Sequence, residues 1–299
     1  MTATQTEMTH ASAKGFDLQP PHEALRILAR AQAEAAQAVE AAVPEIAAAA
    51  ALAAACVTGG GQLVYAAAGS SGLMALADAL ELPGTYGIAT ERIKVLLAGG
   101  TVGLISMTGA PEDDEDEARA AIAGAGVKPG DCVIAVTASG HTPFPLAAVI
   151  AARARGAKTI GLANNRGAAL FDLVDVAICL PTPPEVIAGS TRMGAGTAQK
   201  IALNMLSTMM AVHLGHVHDG YMVSLVADNI KLKARARRIV MAVSGVNEAI
   251  AAHWLEVTQG SVKPAILLAA GAEDVAGAER LLAENGGKLR GALAGLSGR

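Results

Sequence analysis

Three stretches of this chain are rich in Gly, Ser and Thr: Gly69-Ser70-Ser71-Gly72, Thr137-Ala-Ser139-Gly140-His141-Thr142 and Gly189-Ser190-Thr191-Arg192, the last running on to Lys200. Each follows an apolar run and leads into a helix-like segment. Free backbone N–H groups and the helix dipole both favour an anion at such a place, and the glycines let the backbone come close. One such loop alone could be a plain strand-to-helix turn with a capping Ser. Three together predict one site for a phosphorylated small molecule, built from Ser70, Ser71, Gly72, Thr137, Ser139, Gly140, His141, Thr142, Ser190, Thr191 and Arg192.

Three carboxylates could move protons. Glu81 sits among Leu80, Leu82 and Pro83, where burial would raise its pKa towards general-acid duty. Glu112 opens the acidic run Glu112-Asp-Asp-Glu-Asp-Glu117, which also reads as a solvated charge run or as complement to a helix N-terminus. Glu185, in Pro183-Pro-Glu-Val, lies near the expected sheet edge and is expected among the substrate-binding residues as well. Spacing does not choose among them. His213, His216 and His218 could share a helix end, but without a completing ligand set they read as a surface cluster, and no metal site is expected. The chain has no G-x-x-x-x-G-K-[ST] loop, no G-x-G-x-x-G at the first strand and no G-x-S-x-G elbow.

Positioning these residues requires a scaffold. The 299 residues are 52% hydrophobic but only 2% aromatic, so Ala, Leu, Val and Ile must form the core. Net charge is −4 without a basic stripe, which argues against nucleic acid as the main partner. Cys56, Cys132 and Cys179 read as separate buried thiols in a reducing cytoplasm. The polar first residues lack the apolar core of a signal peptide. Ala47–Cys56 is too short to span a membrane.

In chain order, residues 1–20 read as an arm. Helix-favouring residues fill 22–55, broken at Pro44. Apolar runs at 62–68, 93–98, 131–138, 158–163 and 176–180 then alternate with helical segments at 72–82, 112–123 and 143–155. This predicts an α/β fold with a five-stranded parallel sheet buried on both faces. Longer helices are expected over 198–214 and 221–242. Three short ones follow, around 248–254, 264–270 and 275–284, as a small appendage. The expected organisation is thus 1–56 as N-terminal arm and helices, 57–243 as the α/β domain that carries the three loops and 244–299 as a helical domain.

Together the motifs resemble the sugar-isomerase (SIS) fold proteins, with a three-layer αβα domain, and among them the N-acetylmuramic acid 6-phosphate etherases. The resemblance covers nearly the whole chain. It is carried by Thr6-Glu7 with Ser12 and Asp17, Gly59-Gly-Gly-Gln-Leu-Val-Tyr65, Gly69-Ser-Ser-Gly72, Asp78-Ala-Leu-Glu-Leu-Pro-Gly-Thr-Tyr-Gly87, Ala110-Pro-Glu-Asp113, Ala138-Ser-Gly-His-Thr-Pro143 and, most specifically, Gly189–Lys200 with Asn204-Met-Leu-Ser-Thr208. The resemblance implies removal of D-lactate from a 6-phosphorylated amino sugar. The route is proton abstraction beside the aldehyde of the opened sugar, elimination, then water addition. Glu81 falls on the acid and Glu112 on the base at C2, and no cofactor is needed. It also implies a cytoplasmic homodimer with the site near the subunit interface. The chain departs from the family at Leu73 and His141, where the family has Arg, and at Gly194, where it has Lys. Gly220–Ser224 departs from an Asn-Leu-Met-Val-Asp run. The lost cations would weaken anion binding or alter the sugar acid. Arg192 remains as an anion clamp. On the same fold the residues would also suit a non-catalytic sugar-phosphate sensor or a sugar-phosphate isomerase.

Overall fold

The computed structural model describes residues 5–297. The chain forms two compact units, Met1–Ala79 with Glu91–Ser207, and Leu80–Thr90 with Thr208–Arg299.

The first unit is built on five parallel strands: β1 (Leu63–Ala67), β2 (Ile93–Leu97), β3 (Cys132–Thr137), β4 (Lys158–Ala163) and β5 (Val176–Cys179), in spatial order β2-β1-β3-β4-β5. All five predicted strands are present within a residue or two. Every residue of β1 and β3 is buried, because helices cover both faces of the sheet. On one face Val64, Ala66 and Val133 meet Ala118 and Ile122 of α5 (Glu115–Gly124) and Phe144, Ala147 and Ala148 of α6 (Pro143–Ala154). The other face receives α2 (Val43–Thr58), which packs against β1, β3 and β5. It also carries Tyr65, whose hydroxyl donates to Asp78.

Alanine makes α2 thin. Ile46, Ala49, Ala50, Ala53 and Ala54 are buried, so this helix lies close against the sheet. By length and composition Pro21–Thr58 is apolar enough to cross a bilayer, and in its second part, α2, the buried side chains face the sheet. Before α2 stands α1 (Pro21–Gln37), then a 3-10 segment, Ala38–Ala42. The break precedes Pro44, which occupies the first turn of α2, where its missing N–H has no partner to lose. Two thiols expected to be separate are neighbours: Cys56 of α2 and Cys132 of β3 share a hydrogen bond that draws the Cys56 pKa down and pushes Cys132 up.

Two long helices have residues in both units: α3 (Gly69–Tyr86) and α7 (Gly194–His213). Both begin earlier than the sequence pattern suggests, since each opens directly on a small-residue loop. A short helix that the pattern missed, α4 (Gly100–Ile105), follows β2. In the second unit the predicted helix over 221–242 starts late. Asp219 at φ 45° and Gly220 at φ 79° instead turn a two-stranded hairpin, β6 (Val217–His218) and β7 (Tyr221–Met222). The helix itself, α8, runs Ile230–Ser244 and is capped by Asn229, whose side chain accepts from Leu232 N. It packs with α9 (Glu248–Val257), α10 (Val262–Ala269), α11 (Val275–Glu284) and α12 (Leu289–Ser297) around Ile239, Val240, Ile266 and Leu267. The fourth of these terminal helices escaped the pattern because Gly291 and Gly295 lower its helix propensity.

Candidate active site

Strand order reverses between β1 and β3, since β1 leads to β2 on one side while β3 and β4 lie on the other. The crevice beyond the C-terminal ends of these strands is where parallel sheets hold ligands. A cavity of about 220 Å3 lies there, lined by Ser70 and Ser71 after β1, by Thr137, Ser139 and Thr142 after β3, and by Thr191, Gly189, Glu112, Thr6 and Glu7. Six hydroxyl side chains expected from the three loops or their neighbours therefore converge with one predicted carboxylate. Among the described residues no Lys or Arg lines this cavity.

The second loop is pre-organised. The Thr137 and Thr142 hydroxyls are 2.9 Å apart, Ser139 lies 3.2 Å from Thr142, and the Gly140 N–H donates to Thr137 Oγ1. Gly140 is at φ +78°, and a Cβ there would fall 2.1 Å from that of Ala168. Gly140 therefore shapes the turn without lining the cavity. Gly72 likewise serves close packing. A Cβ at Gly72 would meet Leu97 at 2.9 Å, so its absence seats α3 against β2.

Glu112 is not in a helix. It lies in a 3-10 turn, Ala110–Asp113, ahead of α5. Asp114 caps α5 by accepting from Glu117 N, which leaves Glu112 free of that duty. Its carboxylate reaches over the start of α3, where a Cβ at Gly69 would stand 2.6 Å from Oε1. Burial, then the nearby Asp113 charge, raises its pKa above the ordinary carboxylate value. A half-buried carboxylate with a raised pKa beside a hydroxyl-lined cavity can act as a proton acceptor near neutral pH.

Other predicted residues lie elsewhere. Glu81 is exposed on α3 in the second unit, as is its neighbour Leu80. The burial expected from its apolar neighbours is absent, because that helix face is turned to solvent. Ser190 and Arg192 do not line the cavity, and Arg192 is exposed. His141 is also exposed, with Nδ1 donating to Ser139 O at 3.0 Å within its own loop. Glu185 is buried and faces inwards: Oε2 accepts from Gly194 N at 3.0 Å and Oε1 from Ala195 N at 2.9 Å. The N-terminus of α7, expected to hold a bound anion, is thus occupied by the chain's own carboxylate. Gly194 permits this, since a Cβ would lie 3.1 Å from both Glu185 Oε2 and Ala35 Cβ.

A buried network stands behind the site. Asp78 accepts hydrogen bonds from Tyr65, Asn204 and Ser207, at 2.7–2.9 Å, and joins β1, α3 and α7. Burial raises the Asp78 pKa, against the pull of those bonds. In the second unit His213 is exposed and His218 buried, and His216 Nδ1 is buried without a partner among the described residues. No group of three or more His, Cys, Asp or Glu converges among the described residues. The sequence reading placed neither Glu7 nor Asn165 in the site. The available signal for Asn165 was its position just past β4, at the ligand end of the sheet.

Residues 26–164 match the SIS domain family. An N-acetylmuramic acid 6-phosphate etherase of Streptomyces avermitilis is 41% identical over 97% of this chain and 93% of its own length. One from Deinococcus radiodurans is 41% identical over 88% of the chain and 87% of its own length. One from Actinobacillus pleuropneumoniae is 34% identical over 96% and 95%. Among solved structures, a phosphoheptose isomerase from Francisella tularensis shares the fold, with a TM-score of 0.50 and 20% identity over 64% of this chain and 98% of that one.

Proposed function

The chain belongs to the N-acetylmuramic acid 6-phosphate etherase family, and from that premise we propose how its residues cleave the D-lactyl ether of this substrate. The reaction is that of a carbon–oxygen lyase: the opened sugar loses a proton at C2, lactate departs, and water adds to leave N-acetylglucosamine 6-phosphate. Amino-sugar recycling is its setting.

The observation that carries the reading is the Glu112 carboxylate at a cavity walled by Ser70, Ser71, Thr137, Ser139, Thr142 and Thr191. Hydroxyls and free N–H groups suit the phosphate. Glu112 is assigned as base at C2, its basicity raised by burial. The family resemblance alone assigns Glu81, which does not line this cavity, as the acid that protonates the departing lactate oxygen. The three positions that lack the family's cations receive different readings. Leu73 leaves α3 without a cation just past its first turn. His141 spends one ring nitrogen on its own loop. Gly194 admits Glu185 to the N-terminus of α7. Glu185 is therefore assigned to the scaffold, with Arg192 as the remaining cation of its loop.

We also infer a homodimer. Leu18, Leu25 and Val102 are 82%, 65% and 73% exposed, and a second copy would cover such side chains. The described cysteines are unpaired, which suits a reducing cytoplasm.

The test is lactate release from purified protein given N-acetylmuramic acid 6-phosphate, with Glu112→Gln alongside. Release by the wild type and its loss in the variant support the assignment. No release by the wild type, with sugar phosphates still raising its melting temperature, would leave a sugar-phosphate binder without this activity.

A further inference from the structure

The N-terminal arm enters the site. Thr6 is 2% exposed although it lies so near the chain's start. Its backbone N–H donates to Asn165 Oδ1 at 3.1 Å, and Asn165 Nδ2 donates back to Thr6 Oγ1 at 2.9 Å. Asn165 Nδ2 also donates to the carbonyls of Ala138 and Ser139. One buried amide therefore ties the arm to the hydroxyl-bearing loop after β3. Such a fully bonded, buried contact holds the arm in one place.

The next residue, Glu7, lines the same cavity as Glu112 and the six hydroxyls. Its Oε2 lies 3.6 Å from where a Cβ on Gly189 would stand, so the carboxylate reaches across to the third loop. Among the described residues no hydrogen bond or ion pair engages it. Thr6 anchors the arm, and the Glu7 side chain takes no part in that anchoring.

A carboxylate only accepts hydrogen bonds, and it repels other anions. Phosphate and lactate carboxylate are therefore poor neighbours for Glu7. The neutral donors of a phosphorylated amino sugar, its hydroxyl and amide N–H groups, are good ones. We propose that Glu7 is a specificity-determining residue, which accepts a hydrogen bond from a neutral O–H or N–H donor of the sugar and keeps the anionic groups at the hydroxyl-lined walls. This rests on the sugar-phosphate reading above and gives the arm a direct part in it.

The experiment compares wild type, Glu7→Gln and Glu7→Ala. Its readouts are turnover of N-acetylmuramic acid 6-phosphate, calorimetric binding of N-acetylglucosamine 6-phosphate and of inorganic phosphate, and melting temperature. A charge-assisted hydrogen bond lost to Ala should raise KM and the product's Kd about tenfold, with kcat within about threefold of wild type. Gln, which still offers a carbonyl, should fall between. Phosphate, freed from a like charge, should bind Glu7→Ala as well as wild type or better. Both melting temperatures should be unchanged. The proposal is overturned if KM and Kd are unaltered in both variants, if kcat alone falls, or if phosphate and sugar phosphate weaken together. Should the wild type release no lactate, the etherase reading fails by itself, and the two binding titrations still decide the role of Glu7.

Discussion

The Glu112 carboxylate occupies the space that a side chain at Gly69 would need: a Cβ there would lie 2.6 Å from Oε1. Gly69 is also at φ +53°, a backbone region in which an L side chain is strained. The first residue of α3 and the Glu112 carboxylate thus depend on each other. Gly69→Ala should displace Glu112 and lower kcat at least about a hundredfold, since a displacement of roughly 1 Å is enough for such a loss. Its stability should fall by about 1–2 kcal/mol. Gly84→Ala, in the same helix with nothing near the new Cβ, should instead stabilise by about 0.5–1 kcal/mol. Lactate release and thermal melting separate the two.

Glu112→Gln removes the proposed base and should lower kcat by about 10²–10⁴. Because the folded pKa is raised, the native protein holds this proton to higher pH than the unfolded chain. Stability from this group is then greatest at low pH and is lost as pH rises through the unfolded value towards the folded one. The variant should melt no lower than wild type at pH 7. The acidic limb of the wild-type kcat/KM profile should lie above the ordinary glutamate value. A marked fall in melting temperature on substitution would show that Glu112 is a structural residue instead.

Glu185 holds the first turn of α7 through two backbone N–H groups. Glu185→Ala would leave those donors buried without partners and should cost about 2–4 kcal/mol. Glu185→Gln keeps one acceptor and should cost less. If the carboxylate bound substrate instead, both variants would change KM while leaving denaturant midpoints untouched.

Asp78 joins Tyr65, Asn204 and Ser207. Removing it strands the buried Tyr65 hydroxyl and the half-buried Asn204 amide and leaves Ser207 only its longer bond to Asn204 O, so Asp78→Ala should destabilise by about 2–4 kcal/mol. Restoring size with Asp78→Asn should recover part of that. Urea unfolding of the three proteins measures this, and equal midpoints would contradict it.

His216 in the second unit has its pKa lowered to about 4, first by burial and then by the charge of Lys263. The native protein resists protonating it, whereas the unfolded chain binds that proton near pH 6.5. Stability tied to this group is therefore present above about pH 6.5 and is lost as pH falls from there towards 4, by at most about 3 kcal/mol. A His216→Asn variant should show a flatter decline over that window when followed by urea midpoints, and an unchanged slope would remove His216 from the account.

The sequence by itself determined the sheet and the loops. Apolar runs such as Cys132–Thr137 can only be strands buried on both faces when helices alternate with them, and a Gly-Ser-Ser-Gly turn after such a strand fixes where hydroxyls will gather. These are local rules of periodicity, propensity and turn chemistry, and so residues 69–72 and 137–142 were legible as a site. Other assignments depended on contacts between distant parts of the chain. Glu185 looked like a ligand-binding carboxylate until α7 folded its N–H groups onto it. Glu81 looked buried among Leu80, Leu82 and Pro83, yet helix rotation set it facing solvent. Glu112 looked like part of a charged helix start until Asp114 took the capping role. Thr6 and Asn165 are 159 residues apart, and nothing in the composition of either segment announces their pairing. Tertiary structure decided these cases because a polar group's role is set by which partner reaches it, and here crossovers and helix packing brought the partners together.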